Sequence, residues 1–190
     1  MWPSGNWTST PIESEILYPK NAGRLAHPRD VGPVALGDPS EGLTDYEWEL
    51  EFDETEFRIG RVGQSKSFLF SETDVIASDL TFDTAGRAFV TYWKPTGVFA
   101  YWYDPISASF VNQQISATAT NPFCTLDMRD PTQNDSSDIL VFYERANAIY
   151  YQLSSDRYTV EYATPVTNLN GKNIHRCGIG KNYRFTLVYR

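Results

Sequence analysis

Phe89-Val90-Thr91-Tyr92-Trp93, a turn over 94–97 and Val98-Phe99-Ala100-Tyr101-Trp102-Tyr103 are echoed 51 residues later by Leu140-Val141-Phe142-Tyr143-Glu144, a turn over 145–147 and Ala148-Ile149-Tyr150-Tyr151-Gln152. In both copies a polar turn, Asp104-Pro105 or Ser154-Ser155-Asp156, leads into a third run, so each unit reads as a three-stranded antiparallel meander. A third copy begins at Thr186-Leu187-Val188-Tyr189-Arg190. Cys124 and Cys177 precede the second and third copies at a separation of 53 residues, which favours equivalent buried positions over a joint disulfide. Meanders repeating every ~40–50 residues are the pattern of propeller blades. About three units can be drawn, fewer than the roughly four that a closed propeller needs. Either strands in 46–70 complete the set, or the partial blades pack as a sandwich or a flattened barrel.

Outward from the repeat, Tyr46, Trp48, Leu50 and Phe52 alternate with Glu47, Glu49 and Glu51, the period of two that marks a strand with one solvated face. Further strand-length runs are expected at 55–62, 66–70, 109–115, 157–162 and 183–189, most of them bounded by Gly, Pro, Asn, Asp or Ser. No window sustains a capped helical period, so the class is all-β, a domain over 46–190. Residues 1–45 differ in kind. They hold six of the eleven prolines, and a fixed φ with no N–H argues against a long helix or a central strand there. The same segment is too apolar to stay solvated, so it reads as an extended arm, lying on its own domain or on a neighbouring subunit. Trp2, Trp7, Ile12, Leu17, Tyr18 and Leu25 are its candidate partner-binding residues.

Charge and composition narrow the function. Sixteen Lys and Arg against 24 Asp and Glu give a net charge of -8, which repels a phosphate backbone and argues against a nucleic-acid partner. No apolar run approaches the roughly 18–20 residues of a membrane helix, and the first residues lack the basic and apolar regions of a secretory signal, so synthesis in the cytoplasm without membrane insertion is expected. Two cysteines are too few for a disulfide scaffold or a four-cysteine zinc site.

The motifs that suggest chemistry have structural explanations. Asp83-Thr84-Ala85-Gly86 fits an Asx turn closed by a glycine at positive φ. His175 and Cys177 would share a strand face, but side chains at i and i+2 stand about 7 Å apart, and no orienting carboxylate is identifiable. His27, the other histidine, lies in the arm, and the spacing of the two histidines with Cys124 and Cys177 fits no zinc pattern. Gly178-Ile179-Gly180-Lys181 lacks the glycine spacing and the hydroxyl residue of a phosphate loop and reads as a turn. No catalytic residue, cofactor site or metal site is expected. The real surplus is aromatic: in neighbours such as Trp102-Tyr103 and Tyr150-Tyr151 the two rings must point to opposite sides, so both sheet faces are covered or one is adhesive. Such surfaces serve protein interfaces or stack on sugars.

The stretch 32–43 (Gly-Pro-Val-Ala-Leu-Gly-Asp-Pro-Ser-Glu-Gly-Leu), the Trp48 strand, 137–143, 156–162 and Ile174-His175-Arg176-Cys177-Gly178 together resemble small β-rich structural proteins encoded among the tail genes of tailed, especially short-tailed, bacteriophages. The resemblance spans roughly residues 30–190. It implies a non-enzymatic virion component, present in several copies in a symmetric assembly and held by other tail proteins, and it carries over no functional residue. Two other classes compete with it. One is a carbohydrate-binding module that attaches to a host glycan; the other is a fragmentary propeller glycosidase using carboxylates such as Asp83 and Asp127.

Overall fold

A computed structural model of the chain describes residues 23–25, 34–38, 43–83, 87–127, 138–179 and 185–189. These residues form four antiparallel sheets, each with its strands in chain order. Sheet I holds β1 (Gly23–Leu25), β2 (Val34–Asp38), β3 (Leu43–Phe52), β4 (Glu56–Arg61) and β5 (Ser67–Ser71). Sheet II holds β6 (Ala77–Phe82), β7 (Ala88–Lys94), β8 (Gly97–Asp104) and β9 (Ser109–Ser116). Sheet III repeats it with β10 (Thr120–Leu126), β11 (Ile139–Arg145), β12 (Ala148–Leu153) and β13 (Tyr162–Ala163), and sheet IV is the pair β14 (Ile174–Ile179) and β15 (Phe185–Tyr189). The chain is therefore all-β, built from blade-like antiparallel meanders, and no described sheet closes into a barrel. No helix long and apolar enough to cross a membrane occurs among the described residues.

The repeat is real in space. Val90 of β7 and Val141 of β11 occupy equivalent places, and Leu187 of β15 continues the series. Opposite them across the ladder stand Leu80, Cys124 and Cys177. The two cysteines thus hold equivalent register positions, and Cys124 is a fully buried free thiol.

The first strands β6, β10 and β14 pack on one another while the later strands of each sheet lie farther out, so the sheets fan like successive blades. Three apolar layers fill the gaps. Between sheets I and II lie Leu50, Phe57, Phe70, Leu80, Val90 and Tyr92. Phe89, Val98, Trp102, Cys124, Val141 and Tyr143 separate II from III, and Phe123, Leu140, Phe142, Tyr151, Ile174 and Leu187 separate III from IV. Sheets II and III are therefore covered on both faces, which explains why β11 reads as an unbroken apolar run: Ile139 to Glu144 are all buried. Tyr150 and Tyr151 serve opposite layers, as do Tyr101 and Trp102, so the aromatic surplus goes into packing on both sides. Each such buried ring or aliphatic side chain contributes about 1.5–3 kcal/mol against the entropy of ordering the strands.

Several expectations need correction. The units have four strands and not three, β6 and β10 lying outside the expected runs; β10 contains Pro122, which sits beside a bulge between Thr120 and Phe123 on the sheet's edge, where a missing N–H is tolerated. The expected strand at 157–162 is mostly turn, since Arg157 and Tyr158 have φ of 52° and 55°, and only Tyr162 and Ala163 pair. Gly178 and Ile179, read as part of a turn, pair with Thr186 and Phe185 in β14. Within 1–45, β2 is a central strand between β1 and β3. Pro33 and Pro39 bracket it without entering it, so the N–H groups of 34–38 remain free to pair.

The matching hairpins close differently. In β7–β8, Gly97 has φ 125°, and a Cβ there would fall 2.1 Å from the Ser116 carbonyl oxygen. In β11–β12 both turn residues, Ala146 (φ 49°) and Asn147 (φ 64°), are left-handed, the signature of a type I′ turn.

Candidate interaction surface

Two buried carboxylates join consecutive sheets in the same way. Asp79 of β6 accepts the backbone N–H of Cys124 in β10 at 2.8 Å. Glu144 of β11 accepts the N–H of Ile174 in β14 and the Asn121 side-chain amide, which also donates to the Ile174 carbonyl at 2.8 Å. In each case an acid of one sheet satisfies a donor on the first strand of the next, a hydrogen bond in a water-poor layer.

A second motif recurs with the repeat. The Tyr92 hydroxyl donates to Glu72 at 2.6 Å, Lys94 bonds the other oxygen of Glu72 at 2.7 Å, and the Lys94 ammonium sits 4.6 Å from the Phe99 ring centre. Fifty-one residues on, Tyr143 donates to Glu161 at 2.8 Å, Arg145 pairs with Glu161, and its guanidinium lies 4.6 Å from the Tyr150 ring centre. Tyrosine, cation and aromatic ring keep their repeat positions, while the carboxylate arrives from the strand-β5 side in one copy and from beyond β12 in the other. Tyr92 has one proton and gives it to Glu72, so the Asn112 amide 2.8 Å away must present its NH₂; Gln152 donates to Tyr143 likewise at 3.0 Å.

Burial first, then the neighbouring carboxylate, holds both phenols far above the usual tyrosine range. For Glu72, burial works in the opposite direction, but the bonds from Lys94 and Tyr92 outweigh it and keep its pKa below the usual value. These phenols stay protonated and act as buried donors, Tyr92 toward the end of β5 in sheet I and Tyr143 within sheet III, with neither set up as an acid near neutral pH.

The charged groups singled out from sequence are similarly engaged. Glu49 and Glu51 share Lys66, at 3.4 and 2.8 Å, on the solvated side of β3. Asp83 accepts the Arg87 N–H at 2.8 Å and its Nε at 2.7 Å, closing the expected Asx-type turn, while Gly86 lies outside the described residues. Asp104 is buried, and burial alone would raise its pKa; the Ile106 and Ser107 donors and Arg157 at 2.6 Å together bring it below the usual value. At His175 the β14 ladder has a bulge, Ile174 and Arg176 pairing with consecutive partners, which breaks the alternation assumed for His175 and Cys177. Among the described residues no cluster of three or more His, Cys, Asp or Glu is arranged to hold a metal ion.

The large apolar side chains that reach the surface sit mainly on the outer rim. Val62, Phe68, Ile106, Phe110 and Val160 are exposed, all on the outer strands or the turns that serve them; Ile76, just before β6, is the remaining large exposed hydrophobic among the described residues. Phe110 ends a stacked ladder that runs from the buried Phe57 through Phe70 and Tyr101, with centroid separations of 4.7, 4.1 and 5.1 Å. Tyr103 meets Phe110 edge-on and carries the Arg87 guanidinium 3.8 Å above its ring. Sequence reading placed partner contacts in the arm instead: Trp2, Trp7, Ile12, Leu17 and Tyr18 lie outside the described residues, and Leu25 is in β1 opposite Val34. Rim residues such as Ile106 carried no signal in the sequence, since an isolated apolar residue in a turn looks like any other. No protein-family model, curated protein or solved structure matches this chain.

Proposed function

We propose that this chain is a non-enzymatic structural component of a bacteriophage tail, present in several copies and bound to other tail proteins through an apolar outer rim and the segment before β1. The observation that carries the assembly reading is the placement of the exposed apolar residues. Among the described residues, five of the six large ones lie on outer strands or their turns, away from the fan's inner strands, where a neighbouring subunit would cover them. The phage assignment rests on the resemblance of the turn-and-strand segments between residues 32 and 178 to tail proteins. Proteomics of purified particles from the encoding phage tests it: the chain is expected in several copies per particle. Its absence from particles, or glycan hydrolysis by the pure protein, overturns the reading.

A second reading is favoured by one corner. The exposed Phe110 and the half-buried Tyr103 form an aromatic angle with the Arg87 guanidinium above it, the kind of platform on which a sugar ring of a host glycan stacks. Binding on a glycan array that disappears in Phe110→Ala would support host attachment over a purely architectural role.

A further inference from the structure

Each of the four sheets presents an outermost strand, and these edges differ; β15 of sheet IV has five residues. β13 is two residues long. β5 has five residues, with a bulge where Phe57 and Arg58 pair with Phe70 and Phe68, and it is bracketed by Lys66 and Glu72. Short length, bulges and nearby charges are the usual protections of a sheet edge. β9 has less of this. Ser109-Phe110-Val111-Asn112-Gln113-Gln114-Ile115-Ser116 contains no charge and no proline, and Ser109 to Gln114 run in unbroken register with Asp104 to Phe99. Among the described residues its ladder is with β8 alone, and the backbone bonds formed outside the ladders do not involve it. Every second residue along Ser109 to Gln114 therefore offers its N–H and C=O outward, a row that another extended backbone satisfies.

We propose that β9 pairs antiparallel with β9 of a second copy about a two-fold axis, joining two copies of sheet II into one eight-stranded sheet. Three features select a second copy. A strand pairing with itself places like charges near one another, and β9 has none. The edge is matched in length by its own copy, whereas the other outer edges are shorter. Face alternation is also compatible: Phe110 and Asn112 point toward sheet I, contacting Tyr101 and Tyr92, while Val111 and Ile115 point toward sheet III. Keeping these faces continuous requires residues of equal parity to oppose each other, so the axis passes through Val111 or Asn112. Either centre leaves the Ile115 bulge outside or at the end of the paired stretch and adds a neighbouring strand beside the exposed Phe110.

The electrostatics give this dimer a signature. Each copy carries a net charge of -8, and the contact contains no ion pair, so added salt should tighten it by screening the repulsion between copies. An interface made of salt bridges would weaken instead.

The test uses the full chain. Sedimentation or light scattering over rising concentration is expected to move the mass from 21.6 kDa toward twice that value, more readily at high salt. Hydrogen exchange on the same samples should show concentration-dependent protection confined to 109–116. The exposed-site variant Ser109→Lys/Gln114→Lys should raise the dissociation constant about tenfold or more with unchanged circular dichroism, although it lowers the net repulsion between copies. A protein that stays monomeric to millimolar concentration overturns the proposal, and so does a dimer whose protection lies elsewhere or whose affinity the double lysine leaves unchanged. The proposal does not depend on the tail assignment: a chain found in virions but monomeric with a freely exchanging β9 sinks this inference alone.

Discussion

Tyr143→Phe deletes one oxygen from the layer between sheets II and III. That oxygen donates to Glu161 at 2.8 Å and accepts from Gln152 at 3.0 Å. The remaining contact of the Gln152 amide, with the Ile115 carbonyl, is long at 3.4 Å, so a buried donor is left poorly satisfied, while Glu161 can turn toward water. Losing a bond to a charged acceptor and stranding a donor costs about 1.5 kcal/mol at pH 8, a fall in Tm of roughly 3–6 °C for a chain of this size.

The pH dependence makes the argument sharper. Burial and Glu161 raise the folded-state pKa of Tyr143 above that of an unfolded tyrosine, so its contribution is fully present below about pH 10 and is lost as pH rises further. At pH 11 ionisation of the unfolded phenol favours unfolding by about 1.4 kcal/mol. Phenylalanine has no such proton, so the gap between wild type and variant should close almost completely by pH 11. Urea melts at pH 8 and pH 11 measure both numbers. A penalty that is constant across this range, or a variant at least as stable as wild type at pH 8, would refute the account of the buried phenol.

Three further outcomes are expected. Gly97→Ala should cost about 3 kcal/mol in chemical denaturation, because the new Cβ meets the Ser116 carbonyl oxygen and Gly97 holds φ 125°; Ala146→Gly, relieving a left-handed alanine in the matching hairpin, should instead gain about 0.5–1 kcal/mol. Glu72→Gln should flatten the acid limb of the stability profile: Glu72 has a lowered folded-state pKa, so its contribution is present above the ordinary carboxylate value near 4.5 and is lost as pH falls below it. The Cys124 thiol, fully buried between sheets II and III, should react with iodoacetamide only at the rate of unfolding, and prompt labelling of the native protein would contradict the packing of that layer.

The parts of the fold that were legible in the sequence are those where packing is periodic. The Tyr92 and Tyr143 runs announced the repeat because the same face of each blade needs the same bulky residue, and they located β7, β8, β11 and β12 closely. The inner strands were harder. Cys124 and its neighbours are buried on both sides and follow Pro122, so β10 shows neither alternation nor a clean boundary. β2 was hidden by prolines that in fact mark its ends. The sheet-to-sheet bonds were invisible for another reason: Asp79 and Cys124 are 45 residues apart and meet only because two blades stack. Glu72 and Glu161 occupy no common repeat position, so no periodicity could have disclosed that they do the same job.

Sheet II, covered on both faces, also bears on how the chain is made. Its ladders join strands that are consecutive in the sequence, so the sheet is complete as soon as Ser116 has left the ribosome. At that moment Leu80, Val90 and Tyr92 already have sheet I behind them, but Phe89, Val98 and Trp102 face nothing until β10 and β11 have been synthesised. The nascent chain thus carries an adhesive flank for the time needed to translate about thirty residues, and sheet III repeats the hazard toward sheet IV. Translation pauses or truncations that fall between Ser116 and Tyr143 should therefore be the ones that recruit chaperones or aggregate.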